Sequence, residues 1–162
     1  MKEVLIVGCG FIGTTLAEFL SKKYTISTID VIPQPESLKN LKIPHKIIDI
    51  TNLEKLKDEI GNPNIIIHTA IIQIPKIIED KKLGYNVNVV GTQNLCEVVS
   101  SNSKISGMIL LSSWHTYGER DILGTLKEDI GYFPDNVEDR AKIYALSKTI
   151  QECILRFYDE KE

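Results

Sequence analysis

Tyr144 and Lys148 stand four residues apart in a segment of helical periodicity, so they share one helix face and lie side by side. A phenol at its ordinary pKa of about 10 is a poor base at neutral pH. An ammonium beside it stabilises the phenolate and lowers that pKa, and a nicotinamide cation adds to the effect. Such a tyrosine can take the proton of an alcohol while a hydride leaves the carbon. Lys148 is also placed to hold the nicotinamide ribose. Ser112 and Ser113 follow the apolar run Met108-Ile109-Leu110-Leu111. A hydroxyl at a strand's carboxyl end can donate to the substrate oxygen in line with the tyrosine. Singly these signals are weak, since Y-x-x-x-K recurs by accident and a strand-end serine readily satisfies its own backbone.

Their weight comes from a third pattern, Gly8-Cys9-Gly10-Phe11-Ile12-Gly13, which reads G-x-G-x-x-G. It follows the apolar run Val4-Leu5-Ile6-Val7 and opens a helical segment, the context in which such a turn binds a dinucleotide. Gly8 allows the tight turn, Gly10 lets backbone approach a pyrophosphate, and Gly13 permits close packing of helix on sheet. The helix N-terminus presents N–H groups to the anion. Asp30 ends the next strand about twenty residues on, where a carboxylate accepts hydrogen bonds from the adenosine ribose. A 2′-phosphate meets that carboxylate as a like charge, which favours NAD over NADP, although Lys22 and Lys23 lie nearby. Cys9 is small enough to fit between its glycines, and its oxidation is expected to block cofactor entry.

The elements that must position these residues alternate. Strands are expected at 4–7, Thr25 to Asp30, Ile47-Ile48 before Asp49, Asn64 to His68 and Met108 to Leu111. Helices are expected from Phe11 to Lys23, Leu53 to Ile60 (capped by Thr51 or Asn52), near Lys81 to Ser101, and about Ala141 to Tyr158. Gln73 to Asp80, with Pro75 and clustered isoleucines, could line the active-site mouth, though helix packing is its expected role. The polar stretch from Gly118 to Arg140, with Gly124, Gly131 and Pro134, reads as a long functional loop. Strands alternating with helices give βαβ units, and right-handed crossovers give a doubly wound parallel sheet of order 3-2-1-4-5 with helices on both faces. This is a Rossmann-type α/β fold.

The 162 residues make about one domain, large enough to bury roughly 70% of the unfolded chain's surface. Nineteen basic against 22 acidic residues give a net charge of −3, which offers no footprint for nucleic acid or an anionic membrane. Cys9, Cys96 and Cys153 lie far apart with no C-x-x-C pair, so neither a zinc site nor a disulfide framework is supported. The opening apolar run is too short for a signal sequence or a membrane span, leaving a cytoplasmic location as the default.

As a set, these residues resemble the extended short-chain dehydrogenase/reductases, the NAD-dependent epimerase/dehydratase family that acts on nucleotide sugars. Gly10-Phe11-Ile12-Gly13 looks like the family's G-F-I-G, and Asp49-Ile50 like its Asp-hydrophobic pair beside the adenine. His68-Thr69-Ala70 is similar to its H-x-A-A strand end. Tyr85 to Thr92 resembles the N-V-x-G-T helix, Ser112 to Gly118 resembles S-S-x-x-V-Y-G, and Tyr144 to Lys148 resembles Y-x-x-S-K. The resemblance implies Ser113 as the catalytic Ser/Thr, Tyr144 as the base and Lys148 as its partner. It also implies that Phe11, Ile12, Asp30, Asp49, Ile50, Thr69, Ala70 and Asn88 contact NAD or support those contacts. For an epimerase it implies hydride abstraction, a bound keto intermediate and return of hydride to the opposite face.

Three departures qualify the resemblance. The glycine turn is one residue shorter than the family's T-G-x-x-G-x-x-G. Ser113-Trp114-His115 stands where 4,6-dehydratases carry Thr-Asp-Glu, which disfavours a dehydratase and leaves His115 most simply a hydrogen-bonding residue. Family members continue past the Tyr-Lys helix with a further strand and a C-terminal substrate domain, so residues 1–162 are expected to be the NAD-binding part of a longer chain. An exposed edge at the fifth strand invites pairing with a second copy, a homodimer. A different reading is a non-catalytic dinucleotide-binding module or redox sensor of the same fold, which has no need of Tyr144, Lys148 and Ser113. A third is a fragment that folds without binding cofactor tightly.

Overall fold

A computed structural model of the chain describes residues 1–119 and 125–159; Gly124 and the terminal Glu160, Lys161 and Glu162 lie outside the described residues. Five parallel strands, β1 (Glu3–Val7), β2 (Thr25–Asp30), β3 (His45–Ile47), β4 (Ile65–His68) and β5 (Gly107–Leu110), form one sheet of order β3-β2-β1-β4-β5. The order is the expected one. β1 lies at the centre, where every residue from Val4 to Val7 is buried because both of its faces are covered.

Successive side chains of a strand point to opposite faces, and the two faces build two cores. Leu5 and Val7 join Ile29 and Ile66 in a core with Leu56 of α3 (Leu53–Glu59) and Leu95 and Val98 of α6 (Thr92–Ser101). Val4 and Ile6 join Ile26 and Ile67 in a second core with Ala17 of α1 (Phe11–Leu20) and Leu38 of α2 (Glu36–Asn40). The connection after β4 carries α4 (Lys76–Glu79) and α5 (Lys81–Tyr85), and the chain ends its described course in α7 (Lys142–Asp159).

Several boundaries depart from the sequence expectation. β3 covers His45 to Ile47, and Ile48 lies beyond it, buried, with its N–H donating to Asp30 O at 2.9 Å. This strand is at the edge of the sheet and half open, so it opens on the polar His45 and Lys46, and the apolar pair at 47–48 marks the strand's exit. The helix expected over 81–101 is continuous in course but contains a π-helical turn at Asn86–Gly91 between α5 and α6. Such turns commonly mark functional segments. Asn52 caps α3 by accepting from Lys55 N at 3.0 Å, while Thr51 is held by Asp49 instead. The short α2 lies in a stretch that carried no helix expectation of its own, while α4 forms within Gln73 to Asp80, whose first residue lines the cleft described below.

A buried polar knot ties α7 to this frame. The Thr92 hydroxyl donates to Asn88 O at 2.7 Å and so presents lone pairs to Gln151 Nε2 (2.7 Å) and His68 Nε2 (2.9 Å). His68 is fully buried, and desolvation with help from the Lys148 charge drives its pKa down to about 3, so it is neutral and donates from Nε2. One turn away, Asn88 Oδ1 accepts from Ile72 N at 2.7 Å and its Nδ2 donates to Ser147 Oγ at 3.1 Å. Replacing Thr92 by Val keeps the shape and removes the hub, stranding two buried donors. Thr92→Val is expected to destabilise the fold by about 2 kcal/mol, read as a lower denaturation midpoint; an unchanged midpoint contradicts the role given to this hydroxyl.

Candidate active site

The glycine turn is built by steric exclusion. Gly8 sits at φ +97°, and a Cβ there would lie 2.5 Å from Ala70 N. A Cβ on Gly13 would lie 1.8 Å from Gly8 O and 2.7 Å from Thr69 Oγ1. The Thr69 hydroxyl donates to the carbonyls of Val7 (3.0 Å) and Gly8 (2.8 Å), closing the end of β4 onto the turn. Gly10 differs, since nothing lies within 4 Å of where its Cβ would be. Two glycines therefore serve packing, and the middle one leaves open space at the N-terminus of α1, where a phosphate can meet free N–H groups. Phe11 (88% exposed) and Ile12 stand out beside it.

Asp30 joins the turn to the end of β2. One carboxylate oxygen accepts from Cys9 N at 2.5 Å, and the other accepts from Val31 N (2.6 Å) and Ile32 N (3.3 Å). Asp49 accepts from the backbone and hydroxyl of Thr51, and Asn94 Nδ2 donates to the carbonyl of Ile50 at 2.9 Å. The Cys9 thiol is buried, and desolvation pushes its pKa up to about 11. The expected oxidation-sensitive gate does not fit this environment, since the reactive form is the thiolate.

A cleft of about 750 Å³ runs along the carboxyl edge of the sheet, from Asp49 across the glycine turn to Tyr144 and Lys148. It lies where the chain order reverses between β1 and β4, the crevice in which open α/β sheets bind ligands. All the residues read as cofactor contacts line it except Asn88, which is fully buried and holds the Ile72 backbone that lines it. Ser112 also lines the cleft, whereas Ser113 does not, its hydroxyl lying 3.0 Å from His115 Nδ1.

The catalytic-looking pair is tuned differently from the sequence expectation. Tyr144 has its pKa raised, because burial outweighs the lowering effect of the nearby Ser113 hydroxyl. Lys148 is 3% exposed, donates to Leu111 O at 2.6 Å, and has its pKa lowered to about 8 by burial despite the opposing pull of Glu152. Desolvation acts on both partners and favours the uncharged form of each. Sequence reasoning missed Glu152. Its carboxylate accepts from the Ser112 hydroxyl and, at 2.9 Å, from the hydroxyl of Tyr132, whose ring lies 4.9 Å from the Arg156 guanidinium. This cluster docks the loop before α7 onto the strand end. Its only sequence signal was Glu152 falling one turn beyond Lys148 on the same helix face.

The profile of the NAD dependent epimerase/dehydratase family matches residues 4–162. The chain belongs to this family. It is similar to the UDP-glucose 4-epimerase of Mycoplasma genitalium, 24% identical over 95% of this chain and 47% of that protein. It is equally similar to the decarboxylating sterol-4-alpha-carboxylate 3-dehydrogenase of Bos taurus, 25% identical over 98% of this chain and 42% of that enzyme. Among solved structures, the UDP-Glc/GlcNAc 4-epimerase of Campylobacter jejuni superposes with a TM-score of 0.80 at 24% identity, covering 98% of this chain and 49% of that one. The Thermus thermophilus UDP-glucose 4-epimerase in complex with NAD gives 0.76 at 24%, covering 96% and 50%. The chain thus spans about half the length of the relatives it matches. Among the described residues, no helix is long and apolar enough to cross a membrane and no group of three His, Cys, Asp or Glu side chains could hold a metal ion.

Two stability experiments check this description. Gly13→Ala is expected to cost about 3 kcal/mol or more through overpacking, whereas Gly10→Ala leaves stability within about 0.5 kcal/mol; similar denaturation midpoints for the two would contradict the packing described. For Lys148, a pKa lowered from 10.5 to about 8 means that the unfolded chain binds more protons between those values, so stability rises with pH across that window. Below pH 8 the buried charge carries its full cost, on the order of 3 kcal/mol. Lys148→Met is expected to be about 1–2 kcal/mol more stable than the parent at pH 7, the lost bond to Leu111 O offsetting the rest. That advantage shrinks as pH rises from 8 to 10.5 in denaturant titrations; an advantage independent of pH contradicts the assignment.

Proposed function

We propose that this chain is the NAD-binding, hydride-transfer part of an epimerase or related oxidoreductase of nucleotide sugars. The carrying observation is that the glycine turn, Asp30 and the Tyr144–Lys148 pair, drawn from distant parts of the sequence, meet in one cleft. The residues fit the cofactor. Gly10 leaves room at the N-terminus of α1 for the pyrophosphate, and Gly8 and Gly13 shape the turn beneath it. Asp30 is placed for the ribose hydroxyls of the adenosine, Asp49 and Ile50 for the adenine, and Thr69 and Ala70 for the middle of the molecule. Phe11 and Ile12 would flank the pyrophosphate, and Asn88 supports the lining from behind.

When bound, the nicotinamide accepts a hydride from a carbinol carbon and can return it. The chain's own part is to manage the proton and the orientation. Tyr144 accepts the proton of the substrate hydroxyl, Ser113 holds the phenol oxygen, and Lys148 orients the nicotinamide ribose and favours the phenolate. The raised pKa of Tyr144 belongs to the cofactor-free cleft, in which the phenol rests protonated. A nucleotide sugar as substrate follows the epimerases among the relatives, and since the chain spans about half of them, its recognition by the other half is part of the proposal.

Calorimetric titration of the chain with NAD and, separately, NADP tests this reading. Saturable NAD binding, weakened at least about tenfold by Asp30→Ala in a variant shown to be folded, and absent with NADP, is the expected result. A folded parent chain that binds neither overturns it.

A further inference from the structure

We infer that His45, on the edge strand β3, is a positioning residue for the dinucleotide: it pins the Ile32 carbonyl and so holds one lip of the cleft against the adenosine half of NAD. The inference rests on the reading of the cleft as the NAD site, and it adds to that site a residue that does not itself line the cleft.

The lip is the turn that leaves β2. Val31 and Ile32 line the cleft beside Asp30, and their apolar side chains are 58% and 46% exposed. Burial therefore does little to fix them. The turn is also poor in backbone donors, because Pro33 and Pro35 have no N–H. Side chains hold it instead. Asp30 accepts from Val31 N and Ile32 N. Gln34 Nε2 donates to the carbonyl of Ile43 at 2.5 Å. His45 Nε2 meets the carbonyl of Ile32 at 3.0 Å. Ile32 is thus gripped at its N–H by the acid proposed for the ribose and at its C=O by the imidazole.

Donor accounting orients the ring. A carbonyl oxygen only accepts, so His45 Nε2 carries a proton, and in the neutral imidazole Nδ1 then offers a lone pair. It faces the Thr28 hydroxyl at 3.0 Å and the Cys9 thiol at 3.8 Å. Each has one proton to give, with the carbonyl of Pro44 or of Ile29 as its other acceptor. Thr28 is buried and stands opposite His45 in the sheet register, and Cys9 belongs to the glycine turn. One imidazole therefore references the lip to the sheet and to the turn proposed for the pyrophosphate.

A lip ordered before the ligand arrives spares the ligand the cost of ordering it. Polar contacts fix this lip from behind and leave its apolar surface open in front. A nucleoside suits that combination, with ribose hydroxyls for Asp30 and an apolar base face for Val31 and Ile32.

Calorimetric titration with NAD and with ADP-ribose, which keeps the adenosine half and lacks the nicotinamide, tests the role in variants shown to be folded. A glutamine can place its Nε2 where the imidazole has its own, whereas asparagine is too short and phenylalanine has no donor. His45→Asn and His45→Phe are each expected to weaken both ligands about fivefold, the effect of one hydrogen bond. His45→Gln is expected to stay within about twofold of the parent. Amide hydrogen exchange without ligand gives a second readout. The Val31 and Ile32 amides are expected to exchange about fivefold faster or more in the asparagine and phenylalanine variants, and at the parental rate in the glutamine variant. Parental affinities in all variants, a loss confined to NAD, a glutamine variant as weak as the phenylalanine one, or unchanged exchange at positions 31 and 32 overturns the inference and leaves the proposed function in place. A folded parent that binds neither ligand overturns the proposed function and this role with it.

Discussion

The position of α7 depends on the hydroxyl of Thr92. Tyr144 and Lys148 stand on that helix, yet α7 contributes no strand and its apolar face is modest. What holds it in register is a set of directional contacts: Gln151 to Thr92, Thr92 to the Asn88 carbonyl, His68 to Thr92, and Ser147 to Asn88. A buried polar group without a partner costs more than a typical hydrogen bond contributes, so such a set penalises every other register of the helix. The residues of the set come from β4, the π-helical turn, α6 and α7. The helix carrying the proposed base is therefore referenced to the strand end that carries Thr69 and Ala70, and both sides of the cleft share one origin.

Burial sets the charge state of that cleft at rest. The same desolvation that raises the Tyr144 phenol lowers the Lys148 ammonium and leaves His68 neutral. The Lys148 charge adds to the lowering of His68, and the Glu152 carboxylate opposes the lowering of Lys148.

Much of this was legible in the sequence because it rests on local patterns. A continuous apolar run bounded by Gly8 gave β1, and the glycine spacing gave the turn whose steric necessity Gly8 and Gly13 display. The edge strand at 45–47 was misplaced by two residues, since a half-open strand carries His45 and Lys46 where a buried one would carry apolar residues. Ser112 and Ser113 are identical in type, and only the twist of the chain after β5 decides that the first lines the cleft and the second turns to His115. The Ser112–Glu152–Tyr132 cluster joins positions 20 to 40 residues apart, and no periodicity records such a meeting. The direction of the Tyr144 shift was misread for a similar reason, as pair spacing on a helix says nothing of how deeply the pair is buried.

Asp30 holds the glycine turn through Cys9 N with one oxygen and caps the exit of β2 with the other. The proposed function gives the same carboxylate the choice between two dinucleotides. Architecture and selectivity are then inherited together at a single position. A lineage that came to use a phosphorylated ribose could not simply exchange this acid for a neutral or basic residue; it would first have to find another acceptor for the backbone at position 9. Cofactor preference in this chain is on that account evolutionarily stiff, and any switch would have to arrive as a coordinated change in both loops.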